Sequence, residues 1–150
     1  MINETIKKGA DVNAIIQSLP QDQILHLSHV SLFVGKLTQL AMKSGHPSAL
    51  LSDDEYVWYK KAAYYHDIGK AWVPLQIISK PGKLTLSEFK IIQRHPLYAE
   101  KFFSVYDTST SCNANIVQFA HDSAVYHHEW WNGMGYPFGL SRENIPFIAR

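Results

Sequence analysis

The sequence is nearly without cysteine: Cys112 is the single one in 150 residues. A lone thiol closes no internal disulfide, so the chain is not a small secreted fold held by bridges, and a reducing cytosol is the expected compartment. An excess of either charge is missing too. The 14 Lys and Arg stand against 13 Asp and Glu, a formal net charge of +1. A protein living on a nucleic acid polymer would show a basic stripe instead. No apolar run reaches the ~18–20 residues that span a bilayer, so no membrane partner is expected. The first ten residues are too polar for a signal peptide. Period-two alternation never persists, which argues against half-buried strands, and no long period repeats. What is there is a hydrophobic fraction of 46%, sufficient for one core at this length. There are also eight histidines, at positions 26, 29, 46, 66, 95, 121, 127 and 128.

The periodicity predicts helices throughout, hence an all-α fold in one domain. A first amphipathic stretch covers about 3–18 and stops at Pro20. A second opens at Asp22, a candidate N-cap, and runs to Ser44, with Gly45 as its stop. Ser52 and Glu55 form the pattern of a capping box for a third, expected to run through His66-Asp67 to Gly69. Thr85 and Glu88 repeat that pattern for a fourth. Pro96 then disfavours the α conformation at His95, which places a kink or break there, with a short piece continuing to about Val105. A polar loop over 107–113 precedes a long helix over about 114–129. Gly133, Gly135, Pro137 and Gly139 then forbid regular structure, and a new helix starts near Asn144.

A lone histidine on an apolar face is usually a core residue, so each position has to be weighed. His29 lies one turn from Leu25, Leu32 and Phe33 and is expected to face inward. His66 follows Ala62 and Ala63 by one turn, with Asp67 beside it, and His95 follows Ile91 and Ile92. His127 and His128 close a helix. A buried carboxylate among buried imidazoles is unfavourable unless a cation pairs with it. Ligation of one or two divalent metal ions explains the set where packing does not. His26, one turn before His29, could support it but is not expected to take part in the site, His46 is read as a solvated turn residue, and His121-Asp122 as a polar pair on a helix face.

Tyr65-His66-Asp67-Ile68-Gly69-Lys70 resembles the signature of the HD phosphohydrolase superfamily. The stretch from Lys80-Pro81-Gly82 to His95-Pro96, then His127-His128-Glu129 and Gly133-Met134-Gly135-Tyr136-Pro137, is similar to its HD-GYP branch. The resemblance runs from about Leu25 to Arg150, leaving the helix within 1–21 outside it. It implies a helical bundle of the HD type with a metal site between helices, and hydrolysis of the bacterial messenger cyclic di-GMP. Motif matching gives His29, His66, Asp67, His95, His127 and His128 as metal ligands, with Asp67 bridging two ions. Lys70 matches the motif lysine that neutralises phosphate or protonates the leaving oxygen, so Asp67 and Lys70 are the catalytic candidates. The loop of Gly133, Gly135, Tyr136 and Pro137, ending at Leu140, offers a stacking face to a guanine base or a surface to a signalling partner. The ions implied are divalent transition metals, iron or manganese ahead of zinc.

Two departures qualify this. The branch members with three metals carry a glutamate one turn before the first histidine, where Leu25 stands here, so two ions are expected rather than three. The family also supplies an aspartate on the helix after the Ile145-Pro146 motif, at a distance that falls past Arg150. The chain is therefore expected to be a truncated domain with weak or no turnover. The alternatives are another HD phosphohydrolase or a non-catalytic signalling module.

Overall fold

A computed structural model describes residues 10–45, 51–106 and 114–150. His46, Cys112 and the polar loop over 107–113 lie outside the described residues. The helices are α1 (Val12–Gln17), α2 (Gln21–Lys43), α3 (Asp53–Ala63), α4 (Leu75–Ile78), α5 (Leu86–Ile92), α6 (His95–Val105) and α7 (Ala114–Tyr126). Short 3-10 turns sit at Ile68–Trp72, Arg142–Asn144 and Phe147–Ala149, and no strand occurs among the described residues. The fold is all-α, as the periodicity predicts.

Both capping boxes form. The Ser52 hydroxyl accepts from Glu55 N at 3.2 Å while the Glu55 carboxylate accepts from Ser52 N at 2.8 Å. Thr85 and Glu88 repeat the exchange at 3.3 and 2.7 Å. Lys80 donates to the same carboxylate, and together these donors bring Glu88 down to about 2.

The differences from expectation cluster at histidines. Helix α3 ends at Ala63 rather than running to Asp67: the next residues tighten to i→i−3 bonds, and His66 Nδ1 adds a bond to the Ala63 carbonyl at 2.9 Å. Helix α7 ends at Tyr126 rather than Glu129, with His127 Nδ1 on the Ser123 carbonyl at 3.0 Å. The break before Pro96 is complete: α5 stops at Ile92, and His95 opens α6 with Pro96 in its first turn, where no N–H is needed. His95 Nδ1 bonds the Ile92 carbonyl at 2.7 Å. Imidazoles thus satisfy carbonyls that a helix end leaves open. Helix α2 starts at Gln21 with Pro20 at the cap position, so Asp22 is a first-turn residue rather than the cap.

Helix α3 lies against α2 and α7, and α6 against α7 and the Ile68–Trp72 turn. Small residues set the spacing: Ser31 donates to the Lys60 carbonyl at 2.7 Å, and Gly35 faces the Lys60 side chain. Leu27, Ile68, Ala99, Phe102, Ala124 and Val125 fill the core between these elements. At Gly69 the turn meets α6 so closely that a Cβ would overlap the His95 carbonyl oxygen and lie 3.0 Å from Ala99 N. That contact seats the turn carrying Asp67 against the residue that opens α6.

Candidate metal centre

Asp67 sits at the middle, 3% exposed, at the start of the 3-10 turn. Its Oδ2 lies 2.7 Å from Lys70 Nζ, 3.1 Å from His66 Nε2 and 3.6 Å from His26 Nε2. Its Oδ1 lies 3.1 Å from His95 Nε2 and 3.5 Å from His127 Nε2. Close as those nitrogens are, Oδ1 is buried without a hydrogen-bond partner.

The imidazoles carry the strongest chemical signal. With Nδ1–H of His66, His95 and His127 each directed to a backbone carbonyl, Nε2 is left as a bare acceptor. Yet His95 Nε2 and His127 Nε2 face each other at 3.2 Å, and His66 Nε2 faces His26 Nε2 at 3.3 Å. Between His95 and His127 two lone pairs are directed together with no proton between them, and they repel, whereas His26 Nε2 can donate to His66. A cation shared by the two rings and by the orphaned Oδ1 removes the conflict, and the donor set fits a divalent transition metal. Burial and the neighbouring rings lower His127, and they bring His128 down to about 3, keeping both imidazoles neutral as ligation requires. Two overlapping donor groups result: Asp67 with His95, His127 and His128, and Asp67 with His26 and His66.

His29 is not brought to the centre. It lies on the exposed face of α2, beside Leu32, Phe33 and Lys36. The reason is the helix phase. Leu25, Leu32 and Phe33, taken as the inward stripe, are 53%, 58% and 69% exposed, whereas Leu27, Ser31 and Gly35 are buried. His26 flanks that buried stripe and is the α2 histidine that reaches Asp67. The small residues at 31 and 35, four apart after Leu27, are the signal that would have found this phase. With His26 in place, the residue one turn ahead is Asp22 rather than Leu25, so the argument from Leu25 for two ions lapses. Asp22 is exposed and accepts from Gln23 Nε2 at 3.0 Å. Gln23, another residue without a sequence signal, accepts from Lys70 Nζ at 3.1 Å.

The glycine-rich loop is pinned by Glu129, 7% exposed, whose two carboxylate oxygens accept from Phe138 N at 2.7 Å and Leu140 N at 2.9 Å. Both oxygens are committed, so Glu129 is not a spare ligand. Gly135 packs so tightly that a Cβ would come within 2.5 Å of the His128 carbonyl oxygen. Tyr136 N donates to that carbonyl at 3.1 Å, and the Tyr136 ring stacks on His128 at 4.5 Å between centroids. Burial and the Asp67 charge push the Tyr136 phenol up to about 12. Gly133 and Gly139 hold φ of 79° and 70°, and the Tyr136–Pro137 peptide is cis. Trp130 and Trp131 are more than half exposed. Away from the centre, His121 sits 2.9 Å from both Glu100 and Asp122.

Residues 19–150 match the family model described as an HD domain. A Vibrio cholerae protein named as a probable cyclic di-GMP phosphodiesterase is 35% identical over 83% of this chain and 28% of its own length. A Pseudomonas aeruginosa cyclic di-GMP phosphodiesterase is 30% identical over 94% of this chain and 40% of its own. A Vibrio cholerae phosphodiesterase named as specific for 3'3'-cGAMP is 32% identical over 83% of this chain and 21% of its own. The chain thus spans between a fifth and two fifths of these relatives.

Proposed function

The chain belongs to the HD domain family, in its HD-GYP branch, and on that premise we propose that it is a metal-dependent phosphodiesterase domain acting on a cyclic dinucleotide, cyclic di-GMP first. The observation that carries the reading is the facing Nε2 atoms of His95 and His127 beside an Asp67 carboxylate oxygen without a partner. Asp67, His95, His127 and His128 would hold one ion, and His26, His66 and Asp67 the other. Iron or manganese suits the mixed imidazole and carboxylate set, with zinc the competitor. Bound divalent ions supply Lewis acidity and lower the pKa of coordinated water toward neutrality.

The protein's own residues do the remaining work. Lys70, 16% exposed at its side chain, holds its ammonium against Asp67 Oδ2, where it can neutralise a phosphodiester oxygen or hand a proton to the leaving oxygen. His128 fixes the Tyr136 ring, and the ring's other face is the platform for a guanine. Glu129 keeps the backbone of that loop in place. Met134 and Phe138, 76% and 51% exposed on the same loop, form the surface for a signalling protein.

The test pairs metal content with cleavage. Protein purified from metal-supplemented culture should contain a transition metal and cleave cyclic di-GMP, with 3'3'-cGAMP assayed beside it because relatives differ on these two. Replacing His127 and His128 together by alanine should strip most of the metal. Equal metal in both proteins would refute the ligand assignment, and cleavage of 3'3'-cGAMP alone would move the substrate.

A further inference from the structure

The outer face of α2 is apolar and open. Leu25, Leu32, Phe33 and Leu40 are 53%, 58%, 69% and 51% exposed, on the side of the helix opposite the buried Leu27, Ser31 and Gly35. At 3.6 residues per turn all four lie within about 50° of one line along the helix. Soluble monomers rarely leave so continuous a stripe uncovered. A shallow hollow of about 300 Å³ opens midway along it, among His29, Leu32, Phe33 and Lys36.

The order of residues along the stripe says what covers it. Read outward from the point between Leu32 and Phe33, exposed residues fall at matched distances in both directions, leucine with leucine and acid with base. Leu25 and Leu40 are equally distant from that point, as are His29 and Lys36, and as are Asp22 and Lys43. All of these are exposed. A two-fold axis through the hollow, running a second α2 antiparallel to the first, would set Leu25 against the partner's Leu40, and Leu32 against the partner's Phe33. The helix starts with acidic Asp22 in its first turn and ends with basic Lys43 in its last. Antiparallel pairing therefore sets carboxylate against ammonium at both ends, where a parallel pair sets like against like. His29 meets the partner's Lys36, where an imidazole nitrogen can accept from the ammonium. Such self-complementarity about a dyad is what an isologous interface requires.

We propose that the chain forms a two-fold homodimer by antiparallel packing of α2 on α2 through Leu25, Leu32, Phe33 and Leu40. The inference does not depend on the metal centre or the substrate. One helix pair of about 34 Å makes a small interface, so a dissociation constant on the order of 10–100 μM is expected.

Sedimentation equilibrium over roughly 5–500 μM chain should show a monomer passing to a dimer. Phe33→Glu should leave a monomer throughout, with unchanged helical circular dichroism as the check on folding. Lys43→Glu should weaken the dimer several-fold, and adding Asp22→Lys to it should restore the dimer. In a Cys112→Ser background, Phe33→Cys should oxidise to a cross-linked dimer with itself, while Leu25→Cys should cross-link to Leu40→Cys but not to itself. A monomer across the whole range, a dimer indifferent to Phe33→Glu, or self-cross-linking of Leu25→Cys would each overturn the proposal, the last by showing parallel helices.

Discussion

Replacing Gly69 by alanine tests how the fold seats the metal centre. The backbone φ at Gly69 is not in the left-handed region, so alanine costs nothing there, and its stiffer unfolded chain favours the folded state by about 0.4–1 kcal/mol. Against that stands a steric conflict with main chain. The added Cβ would overlap the His95 carbonyl oxygen and lie 2.8 Å from its carbon, where ordinary carbon–carbon contact begins near ~3.5 Å. Relief requires α6 and the Ile68–Trp72 turn to part by roughly 1 Å, through a core that holds Ile68, Ala99 and Phe102 at 0–1% exposure. A backbone carbonyl cannot swing aside as a side-chain tip can. The upper end of the overpacking range, about 3 kcal/mol, therefore applies, and it exceeds the entropic gain several-fold. At this chain length each kcal/mol moves the melting temperature by ~2–4 °C, so the net loss corresponds to about 4–10 °C. The same displacement carries the His95 ring away from Asp67, so metal content should fall with stability. Calorimetry and elemental analysis on the two proteins read both effects. A melting temperature within about 2 °C of the parent, with full metal, would show that α6 does not meet the turn as argued.

Four further outcomes follow from named contacts. His26→Ala should lose part of the bound metal by elemental analysis, whereas His29→Ala should keep it all; the reverse result would restore His29 to the centre. Lys70→Ala should retain the metal but reduce phosphodiester cleavage by roughly 10²-fold, the scale of losing one charged group at a reacting oxygen; metal loss instead would make Lys70 a support for Asp67. Glu129→Gln removes one of two acceptors and turns an amide N–H toward Phe138 or Leu140, so the loop should loosen by about 1–3 kcal/mol. Hydrogen exchange at those two amides should speed up, and unchanged protection would refute the pin. His121 is raised above its ordinary 6.5, first by the Asp122 bond and then by Glu100, against burial. Its contribution is therefore fully present below about pH 6.5 and fades as pH rises through the folded-state value. His121→Gln should lower the melting temperature more at about pH 5.5 than at about pH 8.5, and an equal loss at both would show that the pair is not charged in the fold.

Much of this architecture was legible because local chemistry decides it. Capping boxes need only the residues at Ser52, Glu55, Thr85 and Glu88, and Pro96, tolerated in a first turn, stops the preceding helix from running through it. The inward placement of His66, Asp67, His95, His127 and His128 was legible as well, since small or branched apolar residues precede them by one turn. Helix ends were less so. Each of His66, His95 and His127 takes a backbone carbonyl with Nδ1, and no periodicity announces that a side chain will bond there. Helix α2 was misjudged for a different reason. Hydrophobic patterning assumes that the more apolar stripe is the buried one, but here the stripe through Leu25, Leu32, Phe33 and Leu40 is exposed, and the one through Leu27, Ser31 and Gly35 meets α3. Close approach of two helices selects small residues, which score as weakly apolar. Where a helix carries apolar residues on one side and small ones on the other, the small side is the one held against its own domain, and the apolar side is free to face a partner. The choice between His26 and His29 thus rests on one phase of one helix, which metal content in the two histidine variants tests, while the proposed α2 dimer uses the opposite face of that helix and is read separately, by sedimentation.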